Sequence, residues 1–414
     1  MAIVVSQTAR QKFDGQQCPD QIHTRGSHLD DKLIDAAKSL VPSIYANLER
    51  IDSECQLPPD LAAAMAREKL FGLYVPKCLG GPELDPITAF HVVEEISKTD
   101  GSAGWCSFNG SAVTSAVSRL SVEAAKELFG DPPDIRGSGS ARPEGTAKLT
   151  SNGYVISGRW NYLSGVDHAK CLFLNCAVID DKGPVISEDG SPLFRVAVVP
   201  VEAGQVHVTW STLGMRGTAS NDAEFSDLFV PLSHTYSRGD SAYHDSPLYN
   251  AQNAILVSWT LAAANALGMA RGAMNAFVQV ATGFGTTNSK TLLRDRSPVQ
   301  TTVGECEAII SGARSYVLDA VGAMWDSQVK GLPDLNDEAV HARLAITHAI
   351  RQSVQAVDML FYAAGTHAIH QSVGLERFFR DLHVSGQHIS GLHSNYEFGG
   401  QTLLGATSSG SLYT

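Results

Sequence analysis

The residues best suited to chemistry lie near the C-terminal end of the chain, in the stretch RFFRDLHVSGQHI. Arg380, Val384 and His388 are spaced i, i+4 and i+8, which predicts that they share one helix face and that His388 points where Arg380 does. An imidazole has an unperturbed pKa of about 6.5, so it can exchange a proton near neutral pH. A lone histidine is more often structural, so this position needs support from the rest of the chain.

A metal site is an alternative for this region, because other histidines lie nearby in the sequence: His367, His370, His383 and His393. His367 and His370 share a predicted helix face. No nearby carboxylate or second pair at ligand spacing supports a site, so we expect no metal. These histidines are expected to cap helices, to form hydrogen bonds in the interior or to face solvent.

Two further stretches contain polar side chains that could contact a ligand. In DGSAGWCSFNG, Trp105 and Asn109 are four residues apart and share one predicted helix face. In GRWNYLSG, Ser164 carries a hydroxyl at the end of a predicted strand, and Trp160 lies on the same strand. Both tryptophans could instead belong to the core, which is the safer expectation for Trp160, and Ser164 could simply end its strand before Gly165.

Three loop-like stretches add candidate contacts. RGSGSARPEG contains Ser138 and Ser140, and LGMRGTASND contains Arg216 between glycines and small residues that allow close backbone approach. SKTLLRDRSPVQTTVGE contains Arg294, Arg296 and Gln300; a guanidinium can bind phosphate through two hydrogen bonds. An ordinary loop and solvated arginines remain equally compatible with these patterns.

The elements that must position these residues form three regions. DDKLIDAAKSLVPSIYANLERI, PPDLAAAMAREKLF and DPITAFHVVEEISKTD predict helices, the last two beginning with prolines suited to a first turn. TAKLTSNGYVISGRWNYLS predicts a hairpin around Ser151-Asn152-Gly153, followed by further strands, and the Ala-rich C-terminal part predicts four long helices. We divide the chain into a flexible tail (1–28), an N-terminal helical domain (29–131), a middle β domain (132–236), a C-terminal four-helix bundle (237–395) and a C-terminal tail (396–414).

Bulk composition favours an enzyme that acts on small molecules. The chain has 414 residues, 43% of them hydrophobic, and can bury a large core. Its net charge of -12 and the lack of Lys/Arg runs argue against nucleic acid as a partner. No apolar run of about 18 residues or signal peptide is evident, so we expect a cytoplasmic protein without a membrane span. Seven scattered cysteines without a CxxC pair fit reduced thiols.

The order of the three regions resembles the acyl-CoA dehydrogenase fold, an α+β, mainly α architecture with a helical N-terminal domain, a middle antiparallel β-barrel or sandwich and a C-terminal four-helix bundle. Within that fold, four stretches resemble the flavin-dependent monooxygenase branch, called group D: DGSAGW, GRWNYLSG, LGMRGTASND and RFFRDLH. The dehydrogenases place a catalytic glutamate after their Arg-Asp signature, whereas this chain has His388 and Ile389 there. The resemblance therefore implies oxygen insertion in place of dehydrogenation.

The resemblance also implies roles for individual residues. His388 would be a general base that takes or shares a substrate proton, and Ser164 would lie near flavin N5 and hinder loss of its proton. Ser138, Trp160 and Arg216 would join Ser164 around the flavin, and Trp105, Asn109 and Ser140 would contact the substrate. Arg294, Arg296 and Gln300 would reach flavin phosphate and adenosine, often across a subunit boundary, which implies at least a homodimer and most simply a homotetramer. Some relatives have a histidine near Asn109 and this chain does not, which leaves open whether a second base exists.

The expected activity is that of the oxygenase component of a two-component system. A separate NAD(P)H-flavin reductase would supply reduced FMN or FAD, O2 would add to form a C4a-hydroperoxide, and one oxygen atom would pass to an aromatic or heteroaromatic substrate such as a phenol or indole. The missing GxGxxG motif agrees with a chain that has no NAD(P)H site. Alternatives are an N-oxygenase of an amino sugar or amine, an acyl-CoA dehydrogenase with Glu376 or Glu397 as its base, and a flavin-binding scaffold.

Overall fold

The computed structural model describes residues 31–186, 190–244, 246–285, 291–332 and 336–406. The predicted tail at residues 1–28 lies outside the described residues. Within them, the predicted order of a helical region, a sheet and a second helical region is confirmed.

The N-terminal region consists of short and medium helices whose starts follow from local sequence. The Asp85 side chain accepts hydrogen bonds from the N–H groups of Ile87 and Thr88, and Asp100 caps the helix that carries Trp105 in the same way. The helices are α1 (Asp31–Ala46), α2 (Leu48–Ser53), α3 (Pro59–Arg67), α4 (Pro86–Ser97), α5 (Gly101–Thr114) and α6 (Val122–Phe129). Residues of α4 and α5 pack into the same core as the C-terminal helices.

An eight-stranded sheet follows, in the order β6-β7-β2-β1-β3-β5-β8 with β4 paired to β3. Its strands are β1 (Gly137–Leu149), β2 (Gly153–Leu163), β3 (Cys171–Asp180), β4 (Gly183–Pro184), β5 (Phe194–Pro200), β6 (Gln205–His207), β7 (Asn221–Pro231) and β8 (Thr235–Tyr236). The hairpin predicted at residues 151–153 is confirmed, with Leu149 opposite Tyr154. The expectation of a wholly antiparallel unit is wrong in one pair, because β1 and β3 run parallel.

Strand β1 also corrects the expectation that RGSGSARPEG is a loop. Its residues from Gly137 onward already pair with β3, and the register shifts between Ser140 and Gly145. The Ser- and Gly-rich residues 137–140 pair regularly with β3, and a β-bulge or similar irregularity accommodates residues 141–144 after them.

The C-terminal region contains α7 (Ala254–Gly283), α8 (Ser297–Val329), α9 (Asn336–Ala364), α10 (Leu375–Ser385) and α11 (Ser394–Leu403). Only α7, α8 and α9 are long, so the expected fourth long helix is represented by the 11-residue α10. Gly374 precedes α10 with a φ of 77°, and Gly386 follows it, which limits its length. The predicted tail at 396–414 is also wrong in part, because α11 occupies the chain as far as Leu403.

Helix α7 is the central helix of the bundle and is long and apolar enough to cross a membrane by length and composition. The expectation that no such run exists is therefore wrong for this helix. However, 78% of its most apolar stretch is buried, and it packs against α4, α5, α9 and α10. Burial of most of this stretch by protein is the pattern of a core helix in a globular bundle.

Candidate active site

Ser164 and Trp105 come from different regions and meet at the end of β2. The Trp105 indole Nε1 donates a hydrogen bond to Ser164 Oγ at 3.1 Å, although the two residues are 59 positions apart. Ser164 follows the last residue of β2, and Ser138 Oγ donates to its carbonyl oxygen at 2.8 Å. Ser138 is fully buried, so its hydroxyl holds the end of β2 and offers no surface to a ligand.

A chain of hydroxyl groups continues inward from Ser164. Thr218 Oγ1 donates to the Met215 carbonyl at 2.8 Å, so its contact of 2.7 Å with Ser220 Oγ must use a proton from Ser220. The Ser220 hydroxyl therefore donates to Thr218 and has no second hydrogen. In its contact of 2.7 Å with Ser164 Oγ, Ser164 must be the donor and Ser220 the acceptor. With Trp105 Nε1 filling one of its two acceptor positions, Ser164 Oγ keeps one acceptor position for another N–H or O–H donor.

Thr218 and Ser220 were missed by the sequence analysis, although both lie in LGMRGTASND, from which only Arg216 was selected. Arg216 lies in a 3-10 turn and donates from Nε to the Asp52 carbonyl at 3.0 Å, with the Asp52 carboxylate 3.5 Å away. It therefore fixes the turn to the end of α2. The signal that could have found the hydroxyls is the run of small residues after Arg216, which lets this turn pack tightly.

The turn before β7 is held by a buried carboxylate. Met215 N donates to Asp381 Oδ1 at 2.5 Å, and the Met215 carbonyl accepts from Trp210 Nε1 at 2.9 Å. Met215 has a φ of 54°, a left-handed conformation that needs such fixed partners. Burial, reinforced by the nearby Asp100 carboxylate, raises the pKa of Asp381 to about 7. The RFFRDLH stretch thus anchors the hydroxyl chain, a role its sequence did not suggest.

His388 lies beyond the end of α10, and this corrects the expected shared face with Arg380. Helix α10 ends at Ser385, and His388 has extended backbone angles (φ -62°, ψ 149°) at the start of a 3-10 turn. Arg380 binds Glu376 at 2.5 Å and Asp52 at 3.2 Å. Because the helix stops before His388, the i, i+4, i+8 spacing no longer describes where its side chain points.

Two aromatic side chains of α5 lie edge-on against the His388 ring. Its centroid lies 5.3 Å from Trp105 and 6.0 Å from Phe108, both in edge-on geometry. Burial among these rings lowers the pKa of His388 to about 4, so the imidazole is neutral at physiological pH. Trp105 therefore contacts Ser164 with its indole nitrogen and His388 with its ring, which joins the two predicted catalytic residues into one site.

The other predicted contacts are distributed differently. Asn109 is half-buried one turn after Trp105, and Ser140 is half-buried on β1, where its Oγ accepts from Arg142 N at 3.3 Å. Trp160 is fully buried in the core of the sheet and donates from Nε1 to the Asn175 carbonyl at 2.8 Å. Trp160 is thus a core residue with no surface for a cofactor, which corrects its assignment to the flavin site.

The predicted phosphate contacts lie on the protomer surface. Arg294, Arg296 and Gln300 are exposed around the start of α8. Gln300 Nε2 donates to the Arg294 carbonyl at 3.0 Å, and Arg294 Nε lies 3.7 Å from Asp295. The structure does not bring this cluster into contact with the Ser164–His388 site within the described part of one chain.

The two glutamates that could serve a dehydrogenase do not approach the site. Glu376 is paired with Arg380, and Glu397 is exposed on α11, where it accepts from Gln401 Nε2 at 3.3 Å. The groups contacting the His388 ring are aromatic rings and the Ser390 hydroxyl. A carboxylate base for proton abstraction is thus not among the described residues that contact His388.

Two surface cavities lie away from this cluster. One of about 370 Å³ is lined by residues that include Arg119, Arg195 and Asp240, and one of about 220 Å³ by residues that include Phe71 and Arg136. Neither is lined by Trp105, Ser164 or His388. Across residues 31–406, apart from the short undescribed gaps, no three His, Cys, Asp or Glu side chains are grouped to hold a metal ion.

The residues at Ser164 fit a reduced flavin, the group that the resemblance implies. Reduced flavin carries a hydrogen on N5, and Ser164 Oγ has one acceptor position left to receive it. Oxidised flavin has no hydrogen on N5, so N5 could only accept a hydrogen bond. Ser164 cannot supply that bond because its hydroxyl hydrogen already donates to Ser220. The hydrogen-bond direction along Ser164, Ser220 and Thr218 therefore suits the N5–H donor of reduced flavin.

Comparisons with known proteins agree with this architecture. The family described as "Acyl-CoA dehydrogenase, N-terminal domain" matches residues 31–131, and "Acyl-CoA dehydrogenase, C-terminal domain" matches residues 260–391. The indole-3-acetate monooxygenase of Pseudomonas putida is 30% identical over 344 residues, 83% of this chain and 86% of that protein. The flavin-dependent monooxygenase oxygenase subunit HsaA of Mycobacterium tuberculosis is 27% identical over 385 residues, 88% of this chain and 94% of that protein.

Solved structures show the same likeness. The HsaA monooxygenase from M. tuberculosis matches with a TM-score of 0.83 and 25% identity, covering 94% of this chain and 100% of that chain. XiaF from a Streptomyces species, in complex with FADH2 and glycerol, matches with a TM-score of 0.83 and 25% identity, covering 92% of this chain and 97% of that chain. The chain belongs to the acyl-CoA dehydrogenase family, in its branch of flavin-dependent monooxygenase oxygenase components.

Proposed function

We propose that this protein inserts one oxygen atom from O2 into an aromatic or heteroaromatic substrate, phenol- or indole-like, with reduced FAD or FMN supplied by a separate NAD(P)H-flavin reductase. The observation that carries the proposal is the position of Trp105 between the Ser164 hydroxyl and the His388 ring. A flavin-facing hydroxyl and a substrate-facing imidazole thereby share one site. The names of the relatives, which include an indole-3-acetate monooxygenase and flavin-dependent monooxygenase subunits, support the same class.

In this proposal, Ser164 positions the cofactor. When bound, the reduced flavin supplies the chemistry that activates O2 for transfer of one oxygen atom. Ser164 Oγ accepts the N5 hydrogen, and Ser220 and Thr218 keep Ser164 oriented as an acceptor. Retention of that hydrogen hinders unproductive release of hydrogen peroxide.

The substrate would lie against Trp105, Phe108 and His388, with Asn109 and Ser140 as further polar contacts. Edge-on aromatic rings around a neutral imidazole favour a flat, largely apolar ring over a sugar, whose hydroxyls need several hydrogen-bond partners. This favours aromatic substrates over amino sugars.

The exposed cluster of Arg294, Arg296 and Gln300 would complete the flavin site of a neighbouring subunit in a homotetramer. Arg294 and Arg296 are exposed in the single chain, as expected for residues that would bind the phosphate of a flavin held by another protomer. The proposal thus keeps the isoalloxazine and phosphate contacts on different subunits.

The proposed activity can be tested with purified protein, a generic flavin reductase, NADH and panels of phenols, indoles and amines. Product carrying one additional oxygen atom is measured by mass spectrometry, and hydrogen peroxide is measured in parallel. We expect oxygenated aromatic product and a low peroxide yield. Ser164→Ala should lower the ratio of product to peroxide by about fivefold, the effect of roughly 1 kcal/mol for one hydrogen bond, and Ser164→Thr should retain most of it.

Two outcomes would contradict the proposal. One is the absence of product from every aromatic compound while reduced flavin binds and is oxidised. The other is bleaching of bound oxidised flavin by an acyl-CoA, which would indicate a dehydrogenase despite the positions of Glu376 and Glu397.

A further inference from the structure

The neighbour Ser390 determines where the His388 imidazole carries its hydrogen. The Ser390 backbone N–H donates to His388 Nδ1 at 3.4 Å, and Ser390 Oγ lies 2.7 Å from the same nitrogen. A backbone N–H can only donate, so this long contact favours an Nδ1 that accepts and carries no hydrogen. In a neutral imidazole, the hydrogen then lies on Nε2.

The Ser390 hydroxyl supports the same assignment. Ser390 is fully buried, and among the described residues its Oγ contacts His388 Nδ1 alone. If Nδ1 donated to Oγ, the Ser390 hydroxyl hydrogen would be left without an acceptor, a cost of about 1–3 kcal/mol for a buried donor. Donation from Ser390 to Nδ1 satisfies both groups.

Ser390 is itself held rigidly. Its carbonyl accepts from Thr347 Oγ1 at 2.8 Å and from Asn395 Nδ2 at 3.3 Å. Thr347 lies on α9 and Asn395 on α11, so two helices fix the turn that carries the hydroxyl. The direction of the His388 ring is therefore determined by the bundle rather than by α10.

The other nitrogen of the ring is available to a ligand. Within the part of the chain that the structure describes, no hydrogen-bond partner or carboxylate contacts His388 Nε2. The ring is partly exposed, and its neighbours Trp105 and Phe108 contact it edge-on. Nε2 thus offers one N–H to whatever lies against these aromatic rings.

We propose that Ser390 is a positioning residue that holds His388 as the Nε2–H tautomer, so that His388 donates a hydrogen bond to an oxygen of the substrate. This replaces the general base expected from the resemblance. The inference rests on the proposed function and narrows it to substrates with a phenol or carbonyl oxygen facing His388. A phenol oxygen accepts from Nε2–H, and no proton has to leave the phenol for this hydrogen bond to form. An indole N–H at that point would place two donors against each other.

The tautomer can be measured in the flavin-free protein by nitrogen NMR with 15N-labelled histidine. Subtracting the spectrum of His388→Gln assigns the two nitrogens of His388 among the 14 histidines. We expect an unprotonated Nδ1 and a protonated Nε2 from pH 5.5 to 8. A protonated Nδ1 or an imidazolium in this range would overturn the inference, whatever the enzyme does to substrates.

Ser390 variants test the positioning role in the same experiment. Ser390→Ala should give signals of both tautomers, because it removes the 2.7 Å hydroxyl contact to Nδ1 and leaves only the 3.4 Å contact from the backbone N–H, whereas Ser390→Thr retains a hydroxyl and should keep one tautomer. An unchanged single Nε2–H state in Ser390→Ala would show that the Ser390 hydroxyl does not set the tautomer and would overturn its positioning role.

His388 variants separate a donor from a base. A glutamine amide nitrogen can reach the position of Nε2 and donate, but it cannot accept a proton as a base. We expect His388→Ala to lower kcat/KM for a phenol by about fivefold, the loss typical of one hydrogen bond between neutral groups, and His388→Gln to restore most of it. Equal loss in both variants would contradict the donor role. Absence of product from the wild-type protein would instead contradict the proposed function and leave the NMR result standing.

Discussion

At the scale of the residue, the hydrogen bonds that each polar side chain already forms decide whether it can donate to a ligand or accept from one. Ser164 can only accept from a further ligand because its hydroxyl already donates to Ser220. His388 is neutral because burial lowers its pKa to about 4. Trp105 and Trp160 show the same principle with opposite outcomes. The Trp105 nitrogen reaches the Ser164 hydroxyl, whereas the Trp160 nitrogen is used on a backbone carbonyl inside the sheet.

Trp160→Phe should therefore destabilise the protein without weakening flavin binding. The substitution leaves the Asn175 carbonyl without its donor, a loss of about 1–3 kcal/mol in the free energy of unfolding. Denaturant unfolding and the Kd for reduced flavin measure the two effects separately. Trp105→Phe is the matched control, with little change in stability and a lower product-to-peroxide ratio. Weaker flavin binding by folded Trp160→Phe would contradict the core role of Trp160 and indicate that it contacts the cofactor.

At the scale of the element, the turn between β6 and β7 connects the site to the bundle. Asp381 on α10 holds the Met215 N–H, and the Met215 carbonyl orients the hydroxyl chain that ends at Ser164. A change in this turn should therefore alter the hydrogen-bonding preference of Ser164 without touching Ser164 itself.

Ser220→Ala should reduce the preference for reduced over oxidised flavin. Without Ser220, the Ser164 hydroxyl hydrogen is free to point at an acceptor, which oxidised flavin offers at N5. The ratio of the two affinities should fall by about fivefold, the effect of roughly 1 kcal/mol, and the midpoint potential of the bound flavin should become more negative. Redox titration measures this shift, and Ser220→Thr should behave as the wild type. An unchanged potential in Ser220→Ala would show that the chain does not direct Ser164.

Asp381 should make stability depend on pH in a direction opposite to that of a salt-bridged carboxylate. Its pKa is raised from 3.8 to about 7 by burial and Asp100, opposed by the Met215 N–H and by Arg380 and Arg377. The folded state therefore binds the proton more tightly, and this stabilising contribution, present below about pH 4, is lost as the pH rises to about 7.

Asp381→Asn keeps an oxygen that can accept from Met215 N–H but removes this titration. The difference in unfolding free energy between variant and wild type should shift in favour of the variant from pH 4 to pH 8. Denaturant unfolding at intervals across this range measures it. A constant difference would show that Asp381 does not titrate between pH 4 and pH 8.

At the scale of the whole molecule, the helical N-terminal region, the sheet and the bundle each supply one wall of the site. Trp105 comes from α5, Ser164 from the end of β2 and His388 from the turn after α10. The exposed Arg294 and Arg296, just before α8, form a surface that does not contact this site within one chain.

Arg294→Ala combined with Arg296→Ala should weaken binding of reduced flavin by about tenfold through loss of charged hydrogen bonds to phosphate. The oligomeric state, measured by light scattering, should be the same as that of the wild type. Arg67→Ala, another exposed arginine on α3, serves as the control and should bind flavin normally. Unchanged affinity in the double variant would exclude this cluster from the flavin site.

The sequence by itself determined the order of the regions, most helices, the hairpin before β2 and the small set of stretches that meet at the site. These features follow from local periodicity, caps and turn residues, which neighbouring positions in the chain express directly. The sequence also identified Ser164, Trp105 and His388 as candidates. It misplaced His388 because helical spacing was extended past Ser385, beyond which α10 does not continue.

Only the tertiary structure decided how those residues interact. The contacts of Ser164 with Trp105 and Ser220 join positions 59 and 56 residues apart, and the Met215–Asp381 bond spans 166 residues. Whether a hydroxyl donates or accepts, and which imidazole nitrogen carries the hydrogen, depends on every partner within hydrogen-bonding distance. Those partners come from segments that are distant in the sequence and meet only in the folded protein. Local sequence patterns therefore cannot predict them.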